Sequence, residues 1–161
     1  ERGRVGGENG AIGDACSNLG YIYQMQDRLC EAEEKYLEVL RMEELAGTPM
    51  IMANVSTQLG NIYHYQDKLD DALGMFKRAL RLYRRFRGDE HVDVAEALSS
   101  VGNVRRKKGE LDRAIAKYEK AHEMYCQLVG EDHEDVARVL ENMAGVLTDQ
   151  GRGAEAMAMM E

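Results

Sequence analysis

Four histidines and three cysteines are the residues of this chain best suited to ligate a metal or carry a nucleophilic reaction. Their spacing supports neither. His64, His91, His122 and His133 form no HExxH pattern, in which two imidazoles one helical turn apart would hold zinc beside a general-base glutamate. Cys16, Cys30 and Cys126 are odd in number and lack CxxC or Cys/His ligand spacing, so neither a zinc site nor a disulfide framework follows. A catalytic thiol needs a partner that lowers its pKa, and no such partner is identifiable. The cysteines are therefore assigned structural roles in reducing, cytoplasmic surroundings. Gly3, Gly6, Gly7, Gly10 and Gly13 lack the G-K-[ST] ending of a phosphate-binding loop and follow no predicted strand. No catalytic residue, metal or cofactor is expected, and the chain reads as a non-enzyme.

Composition narrows the partners. The 161 residues carry a formal net charge of −8, with 44% hydrophobic and 31% charged residues, one proline and no tryptophan. This is the balance of a helix-favouring globular chain. Net negative charge opposes nucleic acids, whose binding depends on neutralising phosphates with lysine and arginine. No run of about 18 apolar residues exists, so membrane insertion is not expected. The chain begins with Glu1 rather than methionine, as an excised or processed segment would.

The strongest signal is internal repetition. "GNIYHYQDKLDDA" at 60–72 returns as "GNVRRKKGELDRA" at 102–114, with weaker copies "GYIYQMQDRLCEA" at 20–32 and "AGVLTDQGRGAEA" at 144–156. Ladders of Leu19, Leu59, Val101 and Met143, of Gly20, Gly60, Gly102 and Ala144, and of Ala32, Ala72, Ala114 and Ala156 hold across all four. Small residues at a fixed place in every copy mark where two helices touch. In the third copy Val94, Leu98 and Val101 recur at helical spacing; after Gly109 a second stripe runs Leu111, Ala114, Ile115, Tyr118, Ala121, Tyr125 and Leu128. Thr48-Pro49 reads as an N-cap and first helical residue, while Gly88, Gly109, Gly130 and Gly151 mark helix ends. His91 and His133 occupy matching positions just before a helix. One helical pair cannot bury its apolar faces alone, so the pairs stack.

Leu59-Gly60, Tyr63, Ala72, Phe76 and Ala79, echoed by Leu19-Gly20, Tyr23, Ala32, Tyr36 and Val39, resemble the tetratricopeptide repeat. The period of about 40–42 residues, with "GDEHVDVAEAL" at 88–98 and "GEDHEDVARVL" at 130–140, resembles the lengthened repeats of kinesin light chains and related adaptors. The resemblance implies an all-α, right-handed α-solenoid of antiparallel helix pairs that acts as an interaction scaffold. The expected divisions are a flexible glycine-rich start at 1–8, then repeats at 9–47, 48–88, 89–130 and 131–161, the last with a truncated second helix. Two departures stand out: Arg105 replaces Tyr23 and Tyr63, and Gly153 replaces the leucine of positions 29, 69 and 111.

In such arrays the first helix of each pair lines a concave groove, which the resemblance places on Tyr21, Asn61, Asn103 and Gly145. One turn away on the same face lie Gln24, His64, Tyr65, Arg106 and Lys107, with Arg138 continuing the surface. Asparagine amides can both donate to and accept from a peptide backbone, without demanding a particular side chain. The basic run 105–108 inside an acidic protein favours an acidic peptide; its alternative is a solvated helix end complementing the dipole. The arginines at 78, 81, 84, 85 and 87 read as solvated surface. Met157, Met159 and Met160 would be left exposed on the terminal pair. Two functions follow: an adaptor binding a peptide segment of a partner protein, and an assembly or autoinhibitory module that self-associates through its C-terminal end.

Overall fold

The computed structural model describes residues 2–160, and among these it contains eight α-helices and no strand. They are α1 (Arg2–Met25), α2 (Leu29–Ala46), α3 (Pro49–Tyr65), α4 (Leu69–Arg87), α5 (Val92–Lys107), α6 (Leu111–Val129), α7 (Glu134–Asp149) and α8 (Gly153–Met160). The chain forms two compact units, Glu1–Leu82 and Tyr83–Glu161, divided within α4.

The hairpin within each repeat is closed by the same backbone device. Arg28, Lys68, Glu110 and Arg152 each donate a backbone N–H to the carbonyl five residues earlier, on Tyr23, Tyr63, Arg105 and Leu147, at 2.8–2.9 Å. This six-to-one bond needs a left-handed residue just before the donor. Gly109 and Gly151 supply it with φ of 76°, whereas Asp27 (φ 59°) and Asp67 (φ 61°) adopt it as non-glycines.

The departure at position 105 is resolved at this turn. Arg28 lies 4.4 Å over the Tyr23 ring and Lys68 lies 5.4 Å over Tyr63. Arg105 instead pairs its guanidinium with Glu110, the residue equivalent to those two cations, and its side chain is only 15% exposed. The packing position is kept by exchanging a ring–cation contact for a cation–carboxylate contact, with the arginine stem filling the space.

Within the hairpins the small-residue ladder is a contact ladder. A Cβ on Gly20 would meet Tyr36, one on Gly60 would meet Phe76, and one on Gly102 would meet Tyr118, each at 3.0 Å or less. Unit 1 buries Tyr36, Val39, Leu40, Val55, Leu59 and Ile62 in one cluster. Unit 2 buries Val94, Leu98, Val101, Tyr118, Tyr125 and Val139 among others. Leu19 departs from its ladder: it is 40% exposed where Leu59, Val101 and Met143 are buried. Those three lie on helices that follow an earlier pair, and α1 has no predecessor among the described residues.

The three helix starts at Thr48, His91 and His133 are of two kinds. Thr48 caps α3 by position only, since its hydroxyl makes no capping bond, and Pro49 is the first helical residue. His91 and His133 are caps in substance: each imidazole Nδ1 accepts the backbone N–H two residues on, from Asp93 at 3.1 Å and Asp135 at 3.2 Å. The glycine-rich start set at 1–8 is helical from Arg2, as the opening of α1. Five glycines disfavour a helix by about 1 kcal/mol each relative to alanine. No proline lies in residues 2–25, so nothing there forbids the helical hydrogen-bond pattern.

Candidate functional site

The first helices of unit 1 carry a continuous strip of clefts. Tyr21, Gln24 and Tyr65 line one of about 440 Å³ together with Met25, Asp27 and Gln58. A neighbouring cleft of about 280 Å³ shares Tyr21 and Gln58, and adds Asp14, Ser17, Asn18 and Asn54. Helical geometry explains the grouping: Ser17, Tyr21 and Gln24 recur every three or four residues on α1, and Asn54 and Gln58 are one turn apart on α3, whereas Asn61, a turn further on, lines neither cleft. Tyr21, Met25 and Tyr65 are 59%, 71% and 72% exposed, which leaves two aromatic rings and a thioether in water. Gln24 Oε1 is buried without a donor.

His64 and Asn61 are half-buried on α3, and the His64 ring meets Tyr65 edge-on with centroids 6.4 Å apart. Gln58, Asn54, Met25, Asp14 and Asp27 went unnoticed in the sequence. Gln58 is one turn before Asn61, so the repeat phase placed it in reach; Asp27 belongs to the turn, whose side chains helical phase does not locate.

In unit 2 the expected basic residues are already engaged. Arg106 Nε donates to Asp149 Oδ2 at 2.6 Å, joining the ends of α5 and α7. That hydrogen bond holds the Asp149 carboxyl below its ordinary range and raises the guanidinium's own pKa. The same guanidinium lies over Gly145, where a Cβ would collide with it. Arg138 pairs with Asp135 at 2.5 Å on the first turn of α7. Lys107 is exposed at the end of α5.

Asn103 serves the core as well as the surface. Its Oδ1 accepts from the Tyr118 hydroxyl at 2.5 Å, and Tyr118 itself is fully buried. Burial is the main force pushing that phenol up to about 12, so it remains a neutral donor to Asn103.

The C-terminal pair holds an apolar groove of about 650 Å³, lined by Ala144, Gly145, Ala156, Met157 and Met160 with Glu141 and Thr148 at its polar side. Met157 is 70% and Met160 55% exposed. Met159 faces elsewhere, packing on Ala144, Leu147 and Ala156. The structure thus groups two of the three C-terminal methionines and separates the third.

Among the described residues no group of three or more His, Cys, Asp or Glu side chains could hold a metal ion. His122 and Cys126 approach to 3.6 Å one turn apart on α6, and burial pushes the Cys126 thiol up, away from an activated thiolate. No described helix is long and apolar enough to cross a membrane.

Comparison with known proteins bears on the fold. The family model of the tetratricopeptide repeat matches residues 51–127 and 93–161. No curated protein matches the chain significantly. Among solved structures, BtubC (BKLC) from P. vanneervenii superposes with a TM-score of 0.84 at 22% identity, over 91% of this chain and 59% of that one. This chain therefore spans a little over half of BtubC. A Podosopora anserina protein with nearly identical TPR-like repeats, described as a candidate kinesin light chain, gives a TM-score of 0.78 at 14% identity, over 91% of this chain and 70% of that one. At these identities the likeness is one of fold: an all-α solenoid of helix pairs.

Proposed function

This chain belongs to the tetratricopeptide repeat family, and from that premise we propose that it is a protein-interaction scaffold holding an extended segment of a partner protein against the faces of its first helices. The observation that carries the reading is the strip on unit 1, where exposed Tyr21 and Tyr65 flank clefts lined with amide side chains. Tyrosines on helices offer large contact area for the loss of only two side-chain torsions each. Gln24, Gln58 and Asn61 can bond a passing backbone in either sense. Each such bond contributes only about 0.5–1.5 kcal/mol net, so affinity arises from several residues together. The role is a binding one, exercised in the cytoplasm, where Cys16, Cys30 and Cys126 stay as the free thiols they are here. The net charge of −8 turns the proposal away from nucleic acid.

On unit 2 the same role would fall to Asn103, Arg106, Lys107 and Arg138, with an acidic ligand side chain as the preferred contact. Arg106 and Arg138 would then exchange the Asp149 and Asp135 carboxylates for the ligand's. Exchanging like for like gains little, so an acidic preference on this unit rests chiefly on steering rather than on affinity.

A peptide-display selection on the purified chain tests the proposal, repeated with Tyr21→Ala/Tyr65→Ala and with Arg106→Glu/Lys107→Glu. Enriched peptides that the tyrosine variant loses while remaining helical support it. A selection that enriches nothing, or peptides that bind every variant alike, would refute it.

A second reading, self-association through the C-terminal pair, is favoured by the apolar groove beside exposed Met157 and Met160. Sedimentation at rising concentration should then show assembly that Met157→Glu/Met160→Glu abolishes, and a concentration-independent monomer would dismiss it.

A further inference from the structure

We infer, on the premise that unit 1 is a peptide-binding face, that its strip selects a cationic segment: an extended peptide in which lysine or arginine accompanies aromatic or aliphatic side chains. Among the described residues lining the two clefts, the charged side chains are Asp14 and Asp27, and no lysine or arginine lines either. Both aspartates are exposed, and among the described residues neither has an ion-pair partner, unlike Asp149 and Asp135 in unit 2.

The remaining polar chemistry of the strip points the same way. Gln24 Oε1 is a buried acceptor without a donor. Lysine and arginine side chains are donors only, and a peptide N–H is a donor as well. Tyr21 and Tyr65 present ring faces that attract a cation as readily as they pack an apolar side chain. An acidic ligand residue could accept from the amides and hydroxyls of the strip, but it would meet two carboxylates and no cation, so its like-charge repulsion would find no ion pair to offset it.

Geometry sets the ligand's spacing. Asp14 and Met25, the last residue of α1, lie eleven residues and so roughly 16 Å apart at ~1.5 Å per residue, and Asp27 sits in the turn just beyond, which puts the two carboxylate positions on the order of 16–20 Å apart with Tyr21 between them. An extended peptide covers that distance in about five or six residues. The preferred segment therefore places two cations about that far apart around a central aromatic or aliphatic residue.

The experiment is a fluorescence-anisotropy titration of the whole chain with three labelled synthetic peptides. One combines lysine and arginine with tyrosine and leucine at this spacing; in the second every cation is glutamine, and in the third every cation is glutamate. The cationic peptide should bind about threefold to tenfold more tightly than the glutamine peptide, as expected for two exposed charge pairs, and the preference should shrink with added salt. Asp14→Asn/Asp27→Asn should erase the preference, so that the cationic and glutamine peptides bind this variant alike. This control separates the strip from the overall net charge of −8, which the variant reduces only to −6 because two aspartates are neutralised. Equal or tighter binding of the glutamate peptide, or a cation preference that survives in the aspartate variant, overturns the inference while the peptide-binding face stands. If none of the three peptides binds, or Tyr21→Ala/Tyr65→Ala binds them all as the unchanged chain does, the reading of unit 1 as a peptide face falls and the inference with it.

Discussion

Replacing Gly102 by alanine asks whether the glycine ladder exists for close approach. Gly102 lies inside α5, where alanine would ordinarily be favoured by about 1 kcal/mol. Here the added Cβ would sit 2.7 Å from Tyr118 Cε1 and 3.0 Å from Cδ1 and Cζ. Tyr118 has no exposed surface into which to retreat, and its hydroxyl is tied to Asn103 at 2.5 Å. Overpacking of this kind costs about 1–3 kcal/mol. Displacing the ring also weakens a hydrogen bond with a net contribution of about 0.5–1.5 kcal/mol. After the propensity gain is subtracted, the net destabilisation is about 1–3 kcal/mol, a fall in Tm of about 3–10 °C for a chain of this length. The control is Gly74→Ala on α4, where a Cβ meets nothing within 4 Å and the site is exposed. That variant should gain about 0.5–1 kcal/mol. Thermal and urea unfolding followed by far-ultraviolet circular dichroism compares the two. Tyr118→Leu tested alone and with Gly102→Ala should then reveal favourable coupling, since a smaller partner makes room for the methyl. A Gly102→Ala protein as stable as the Gly74→Ala control, or a cycle without coupling, refutes the close-approach argument.

Three further outcomes are expected. Asp27→Gly should stabilise the chain by about 0.5–1 kcal/mol, because φ of 59° strains a residue with a Cβ and the equivalent positions of the later repeats are Gly109 and Gly151; urea midpoints provide the check. His91→Ala should cost about 0.5–2 kcal/mol and speed hydrogen exchange at the Asp93 N–H that the imidazole now accepts. Glu43 is 5% exposed, and burial, assisted by Asp14, pushes its carboxyl up. A folded-state pKa above the unfolded value penalises the fold at neutral pH, and the penalty fades as pH falls from the folded pKa towards the unfolded one. Glu43→Gln should accordingly raise the unfolding midpoint at pH 7 and give no advantage below about pH 4. An equal gain at both pH values contradicts this assignment.

The comparison between sequence and structure is instructive residue by residue. Repetition at about 40 residues announced the helix pairs, because an apolar face that must be covered by the next pair recurs wherever that pair recurs. The glycine ladder announced close contacts at 20, 60 and 102, and each proves to face the aromatic ring sixteen residues later. His91 and His133 were legible as positions before a helix; that their Nδ1 atoms accept the capping bonds was not, since side-chain rotation leaves no periodic trace. Of the groove residues expected on unit 1, Tyr21, Gln24 and Tyr65 lie together on one cleft, whereas Asn61 and His64 line neither of the two. Those of unit 2 acquired other duties: Arg106 holds Asp149, and Asn103 receives the Tyr118 hydroxyl.

Periodicity by itself determined the class of fold, the pairing of helices and the positions where small residues are needed, because these depend on local hydrogen bonding and on which side of each helix is apolar. Only the tertiary structure decided which charges remain available. Arg106 and Asp149 are forty-three residues apart, and neither spacing nor composition indicates that they meet at 2.6 Å. Asp14 and Asp27 attract no notice along the chain, yet packing leaves them as the charged residues of a strip around Tyr21. The electrostatic character of a surface depends on distances between side chains brought together by folding, and those distances are set by how helices pack.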